Sequence, residues 1–116
     1  MADYQPLPVF LDPRGTLISI EFGTLPFQPQ RCFVVAAPGS PARRGGHEAG
    51  CRQLLLLLRG SVTLRLRHGD GETERRLVKP GSSALIAADE FVDYELETPD
   101  TEVLVLAEHP YTARST

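Results

Sequence analysis

The sequence lacks the features that mark a membrane protein or a nucleic-acid-binding protein. No apolar stretch approaches the roughly 20 residues that cross a bilayer, and residues 1–15 have neither a basic start nor a long apolar middle. The formal net charge of −3 gives no basic excess for contacts with phosphates of DNA or RNA. We therefore expect no membrane partner, no nucleic-acid partner and a cytoplasmic location.

Cysteine is scarce, and sustained helical periodicity is missing. The two cysteines, Cys32 and Cys51, fall in or beside apparent strands without the paired spacing of a metal site, which favours free thiols in a reducing compartment. Turn signals recur about every ten residues between eight or nine short apolar or alternating segments, a pattern typical of an antiparallel sandwich or small barrel. The chain of 116 residues has the length of one domain. We predict a single all-β domain over residues 1–116, with minimal helix.

The most apolar segment consists of five consecutive leucines at residues 54–58. Because strand side chains alternate between two faces, protein must cover both faces of this segment, which predicts a central strand. Residues 62–67 alternate between apolar and polar after Arg59-Gly60. These patterns predict a hairpin of two strands joined by a tight turn at Arg59-Gly60.

Shorter strand candidates lie on both sides of this segment. Apolar residues 9–11 and 17–22 flank a proline and glycine turn at residues 12–15, which predicts a first hairpin. Residues 24–31 should run extended over the surface, and residues 42–47 should form a basic, glycine-rich loop. Further strands are predicted at residues 32–37, 73–78, 83–86, 91–96 and 103–106, of which 73–78 should be exposed.

Several motifs along the chain together resemble one known family. They are Asp12-x-Arg14-Gly15-x-Leu17, Leu25-Pro26-Phe27 followed by Arg31, Arg43-Arg44-Gly45-x-His47, Gln53 leading a hydrophobic strand into Gly60-Ser61, and Val103-Leu104-Val105-Leu106-Ala107. With these residues the sequence resembles the cupin-type sugar-nucleotide 3,4-ketoisomerases, which act on thymidine-diphosphate-linked 4-oxo-6-deoxyglucose. The resemblance implies a cupin fold, that is, a jelly-roll antiparallel β-barrel, and a homodimer that exchanges N-terminal strands.

The resemblance also implies an activity and a set of site residues. The enzyme would be a 3,4-ketoisomerase that moves a proton from C3 to C4 of a dTDP-4-oxo-6-deoxyhexose through an enediol. Such chemistry needs a group with a pKa near neutrality, and His47 is the well-placed candidate. The substrate-binding residues implied by the motifs are Arg14, Arg31, Phe33, Arg44 and Gln53.

The arginines among these substrate-binding residues are suited to binding a pyrophosphate, because a guanidinium group can donate two hydrogen bonds to phosphate oxygens at once. Neighbouring residues of an extended chain point in different directions. At most one of Arg43 and Arg44 is therefore expected to face the pocket.

Three positions depart from the family pattern. Ala49 stands where the family has a second histidine, Phe33 where it has a tyrosine, and Phe91 where it has a tryptophan. Glu48 could assist His47 only if the chain is not regularly extended there, because alternation would point it away. These departures leave an alternative open, namely a catalytically inactive cupin that binds a sugar nucleotide or another small ligand.

We expect no metal and no other cofactor. Cupin metal sites use two closely spaced histidines, a glutamate and a later histidine that converge on the ion. Here His47 is the one histidine in such a position, Gln53 replaces the glutamate, and residues 87–94 contain no histidine.

The leucine segment also bears on the oligomeric state. Its outward leucines would leave an exposed apolar patch, which soluble monomers seldom carry. The apolar N-terminal segments 9–11 and 17–22 are flanked by prolines that favour extended arms. The sequence therefore predicts a homodimer whose interface uses these N-terminal strands.

Overall fold

A computed structural model describes residues 3–6 and 9–110 of the chain. Its strands are β1 (Asp3–Pro6), β2 (Val9–Asp12), β3 (Gly15–Ile18), β4 (Arg31–Ala36), β5 (Ala42–Glu48), β6 (Gln53–Arg59), β7 (Val62–His68), β8 (Gly71–Leu77), β9 (Ser82–Ile86), β10 (Phe91–Leu96) and β11 (Glu102–Ala107). Within the described ranges, helix is confined to one 3₁₀ turn, Phe22–Thr24, and no helix is long and apolar enough to cross a membrane. The predicted single domain also includes residues 1–2, 7–8 and 111–116, which lie outside the described ranges.

The strands form two main sheets that face each other. One sheet has the order β1-β9-β6-β11-β4, the other has the order β5-β10-β7-β8, and all neighbours are antiparallel. From β4 onwards the chain changes sheet at every connection except the β7–β8 hairpin. This strand order is that of a double-sheet jelly roll, so the predicted all-β antiparallel class is confirmed.

The core lies between these sheets and follows the two-residue period of the strands. On β7, Val62, Leu64 and Leu66 are buried while Thr63 and Arg65 are only partly covered. The same alternation places other apolar side chains in this core: Leu55 and Leu57 from β6, Val92, Tyr94 and Leu96 from β10, and Val103 and Val105 from β11. Burial of each large aliphatic side chain contributes about 1.5–3 kcal/mol to folding.

The predicted hairpin at Arg59-Gly60 is wrong. Strand β6 pairs with β9 and β11, whereas β7 pairs with β8 and β10, so the chain crosses from one sheet to the other at this point. Gly60 has a φ of +80°, and an added Cβ would lie 2.6 Å from the Cα of Thr101. The backbone N–H of Ser61 donates to the hydroxyl of Thr101 at 3.2 Å. A tight turn is present as expected, but it is packed against the 98–101 turn and joins two layers.

The leucines of β6 are covered on both faces, as predicted, but the chain itself supplies the cover. Leu54, on the outer face, packs with Phe27 and Leu106, and Leu56 on the same face is 1% exposed. Segment 20–27 therefore lies partly over the sheet, whereas we had expected residues 24–31 to run along the surface. The outward leucines therefore need no partner chain to cover them, and they do not support the predicted dimer interface.

The N-terminal hairpin is confirmed, but its second strand is shorter than predicted. Strands β2 and β3 pair from Val9 with Ile18 to Asp12 with Gly15. The carboxylate of Asp12 accepts the backbone N–H of Arg14 at 2.8 Å and closes the turn. The strand predicted over 17–22 ends at Ile18, and Phe22 begins the 3₁₀ turn. Strand β8 is exposed along nearly its whole length, as predicted.

Both cysteines carry free thiols, as the sequence predicted. Cys32 is exposed on β4, and Cys51 is buried just before β6.

Candidate active site

A cavity of about 670 Å³ opens where the two sheets end side by side. Strand β4 is the last strand of one sheet and β5 is the first strand of the other, and both contribute to its lining. The described residues around it are Arg31, Phe33, Val34, Val35, Arg43, Arg44, Gly45, His47, Gln53, Leu55, Val92, Tyr94 and Val105. The volume falls in the usual range for small-molecule sites, which combine an apolar wall with a few polar groups.

The segment predicted as a basic loop is strand β5, and a bulge in it sets the direction of its side chains. Arg44 pairs with Tyr94 and His47 pairs with Val92, which leaves one extra residue on β5 between these pairs. Without that residue Arg44 and His47 would face opposite sides, because they are three positions apart. Gly45 has a φ of +87°, and an added Cβ would lie 2.7 Å from the carbonyl oxygen of Val92. The glycines therefore allow both side chains to face the cavity.

His47 is half-buried at the cavity wall, and its environment defines its tautomer. Its Nδ1 lies 2.7 Å from the carbonyl oxygen of Glu48. A carbonyl oxygen only accepts hydrogen bonds, so Nδ1 carries the proton and donates it in this contact. The neutral ring therefore has Nε2 as its basic nitrogen. Glu48 itself is exposed, and its side chain is not among the described groups that line the cavity.

Three arginines line the cavity, and their surroundings differ. Arg43 donates to the carboxylate of Asp93 at 2.7 Å, and this ion pair compensates its charge. Arg44 forms no ion pair with any described residue. The guanidinium group of Arg31 lies over the ring of Phe33, 4.6 Å from its centroid. Arg44 thus presents an uncompensated positive charge beside the cavity.

Gln53 is a buried polar residue of the cavity lining, and it contacts Ala49 behind it. Gln53 is 8% exposed, and its side-chain N–H donates to the carbonyl oxygen of Ala49 at 3.3 Å. Ala49 is buried in the main core and is not among the described lining residues. The position that carries a second histidine in the family pattern therefore supplies no polar group here.

Tyr94 is a cavity residue that the sequence analysis did not single out. It lies on β10 opposite Arg44 and is 7% exposed. Burial raises the pKa of its hydroxyl, and the adjacent Arg44 acts in the opposite direction. The period-2 pattern of residues 92, 94 and 96 was available in the sequence and would have placed Tyr94 on the inner face.

Two residues of interest lie elsewhere. Arg14, predicted to bind substrate, stands at the tip of the β2–β3 hairpin, where its side chain is 90% exposed and pairs with Asp12 at 2.8 Å. Phe91, the position of the family tryptophan, packs against the guanidinium group of Arg67 and not in the cavity lining. The other predicted residues, which are Arg31, Phe33, Arg44, His47 and Gln53, all line the cavity.

The donor groups of the cavity do not fit a cupin metal site. Across residues 9–110 no group of three or more histidine, cysteine, aspartate or glutamate side chains is placed to hold an ion. Among the described lining residues His47 is the only one of these types. An amide such as that of Gln53 is a poor replacement for the carboxylate ligand that transition metals prefer.

The sequence matches the family described as WxcM-like, C-terminal (FdtA), over residues 2–115. The chain belongs to this family. No curated protein sequence matches the chain at a significant level.

Solved structures similar to this WxcM-like protein include sugar-nucleotide enzymes. QdtA, a sugar 3,4-ketoisomerase from Thermoanaerobacterium thermosaccharolyticum in complex with TDP, is 26% identical, has a TM-score of 0.86, and the match covers 96% of this chain and 82% of QdtA. A QdtA mutant in complex with TDP-4-keto-6-deoxyglucose is 25% identical, with a TM-score of 0.85 and coverage of 97% and 83%. The WlaRB TDP-quinovose 3,4-ketoisomerase from Campylobacter jejuni, at 24% identity, a TM-score of 0.86 and coverage of 98% and 89%, shares the fold.

Proposed function

We propose that the protein is a sugar-nucleotide 3,4-ketoisomerase that acts on a dTDP-4-oxo-6-deoxyhexose. The observation that carries this proposal is the cavity in which His47 and the cationic Arg44 face the same space. Membership of the WxcM-like family and the similarity to QdtA support the same activity. A catalytically inactive cupin would be expected to keep the cavity but not a histidine with a free basic nitrogen in it.

In the proposed reaction His47 moves the proton that is bound to carbon. Its Nε2 takes the proton from C3, which is acidic because C4 is a carbonyl, and the resulting enediol then receives a proton at C4 from the same ring. The hydrogen bond from Nδ1 to the carbonyl oxygen of Glu48 holds the imidazole ring in one orientation through both steps. An imidazole side chain can act both as a general base and as a general acid, as the two steps require.

The remaining polar groups bind and orient the substrate. Arg44 and Arg31 hold the pyrophosphate, because guanidinium groups match phosphate oxygens with paired hydrogen bonds. Phe33, under the guanidinium group of Arg31, offers an apolar surface to the nucleoside. The amide of Gln53 hydrogen-bonds the sugar in the cavity.

We also propose that the reaction needs no metal and takes place in the cytoplasm. The described lining residues offer one imidazole and no carboxylate, a donor set too small for a transition-metal site. Free cysteines are consistent with a reducing compartment.

The activity is tested by incubating purified protein with dTDP-4-oxo-6-deoxyglucose in deuterated water. We expect the 3-oxo isomer to form and to carry solvent-derived deuterium at C4, because His47 exchanges its proton with solvent between the two steps. Proton NMR follows both the product and the exchange. Protein that binds thymidine diphosphate by calorimetry but gives neither product nor deuterium would instead be the inactive cupin.

A homodimer with exchanged N-terminal strands is the proposed assembly, and the exposed β2–β3 hairpin supports it. Phe10 and Leu17, which pair across the hairpin, are each 58% exposed, and Leu11 is 78% exposed. Apolar side chains grouped in this way are typical of an interface. Arg14, at the tip of the same hairpin, lies outside the cavity of its own chain, so its predicted role in substrate binding requires the cavity of a partner.

We expect the protein to sediment as a dimer at micromolar concentration, and the double substitution Phe10→Asp and Leu17→Asp to convert it to a monomer. Two carboxylates would have to lose their hydration to remain in an apolar interface. Val78→Asp, at a residue that is 50% exposed after β8, is the matched control and should leave the mass unchanged. A monomeric parent, or a dimer that survives the double substitution, would contradict the proposed interface.

A further inference from the structure

Moving a proton between two carbons accounts for only half of a ketoisomerisation. As C3 loses its proton, the C4 oxygen must gain one to complete the enediol. As C4 then gains a proton, the C3 oxygen must lose one to become the new carbonyl. His47 is occupied with the carbon-bound proton in both steps, so a second group has to serve the two oxygens.

The cavity offers one further side chain that can exchange a proton. Arginine stays protonated in proteins, and the glutamine amide is neither acid nor base at neutral pH. The other described lining groups are apolar or glycine, apart from His47 and Tyr94. The hydroxyl of Tyr94 is therefore the remaining candidate.

The register of β5 and β10 places Tyr94 beside both groups that it would need. His47 pairs with Val92, two residues before Tyr94 on the same inner face, and both side chains line the same cavity, so they are diagonal neighbours across the two strands. Arg44 is the direct partner of Tyr94. A substrate edge that contacts the imidazole is thus within reach of the phenol.

We infer that Tyr94 is a second catalytic residue, which relays a proton between the two substrate oxygens while His47 relays the proton between the two carbons. This inference rests on the proposed ketoisomerase activity. In the first step Nε2 takes the C3 proton and the Tyr94 hydroxyl gives its proton to the C4 oxygen, leaving an imidazolium, a phenolate and the enediol. In the second step the imidazolium protonates C4 and the phenolate takes the proton of the C3 hydroxyl, which restores both side chains.

The surroundings of Tyr94 suit both states of the relay. Burial raises the pKa of the hydroxyl, which keeps it protonated at neutral pH before the first step. Arg44 acts in the opposite direction and stabilises the phenolate that forms transiently. Because a guanidinium group has five N–H donors, Arg44 can contact Tyr94 and a phosphate oxygen at the same time.

The test is Tyr94→Phe, which removes the hydroxyl and keeps the ring in the core. We expect kcat to fall about 100-fold, as for loss of a general acid–base group, with thymidine diphosphate binding by calorimetry unchanged. A kcat equal to that of the parent, whether or not KM rises, would overturn the inference. The ketoisomerase proposal would not be affected by that result. A parent protein without turnover would overturn both.

A second measurement does not depend on the phenylalanine variant folding. Incorporation of 3-fluorotyrosine at position 94 lowers the pKa of the phenol with almost no change in shape. The other charged or titratable groups lining the cavity, which are Arg31, Arg43, Arg44 and His47, are unaltered. The alkaline limb of the pH profile of kcat should move to lower pH, and an unmoved limb would contradict the relay.

Discussion

Replacing His47 with asparagine is expected to lower kcat for the 4-oxo sugar nucleotide about 1,000-fold, because the variant has no group that can accept the C3 proton. Asparagine keeps a polar side chain of similar reach but cannot be protonated at neutral pH. Binding of thymidine diphosphate should remain, since the arginines are untouched. Steady-state kinetics by NMR and calorimetric titration check the two halves of this expectation.

His68→Asn is the matched control for this substitution. His68 lies at the end of β7, where its Nε2 is 2.7 Å from the carboxylate of Asp89 and outside the cavity lining. The same chemical change there should leave kcat unaltered. A His47→Asn variant that keeps the parental kcat would show that another group abstracts the proton.

Truncating Leu57 to alanine should lower the free energy of unfolding by about 3 kcal/mol, the usual cost of a leucine cavity in a core. Leu57 is fully buried, with 0% exposure, and lies between the two sheets. Urea denaturation followed by circular dichroism measures the change, because the midpoint falls while the slope stays constant.

Leu58→Ala provides the comparison at the next residue of β6. Its side chain is only half-buried, so its truncation removes fewer contacts and should cost less than about 1 kcal/mol. Equal losses at the two positions would mean that the core is not arranged as described.

Most of the fold was predictable because its strands follow a two-residue period. The alternation on β7 and β10 is visible in the sequence, and five consecutive leucines required cover on both faces. Which strands pair with each other was harder to predict from the sequence. The turn at Arg59-Gly60 looks like a hairpin turn, and only the contact of Gly60 with Thr101, distant in the sequence, shows that it joins two sheets.

The residues of the candidate site that belong to family motifs could be predicted from the sequence. The direction of their side chains could not, because it depends on the register of the strands. His47, Arg44 and Gln53 follow from the family motifs and line one cavity. The bulge that brings Arg44 and His47 to one face could not be inferred, because two adjacent glycines are equally typical of a loop. Tyr94 lies outside the motifs; the alternation of β10 indicates its inward direction, but its place opposite Arg44 in the cavity follows only from the strand register.

The repeated change of sheet along the chain has a consequence for how the protein folds. Strand β6 bonds to β9 and β11, neither of which is its neighbour in sequence, so its pairing needs residues up to 107. Proteins dominated by such distant pairings fold in about milliseconds to seconds. During synthesis the leucines at 54–58 therefore lack one of their two strand partners until residue 107 has emerged, and an apolar strand left unpaired in this way is prone to aggregation.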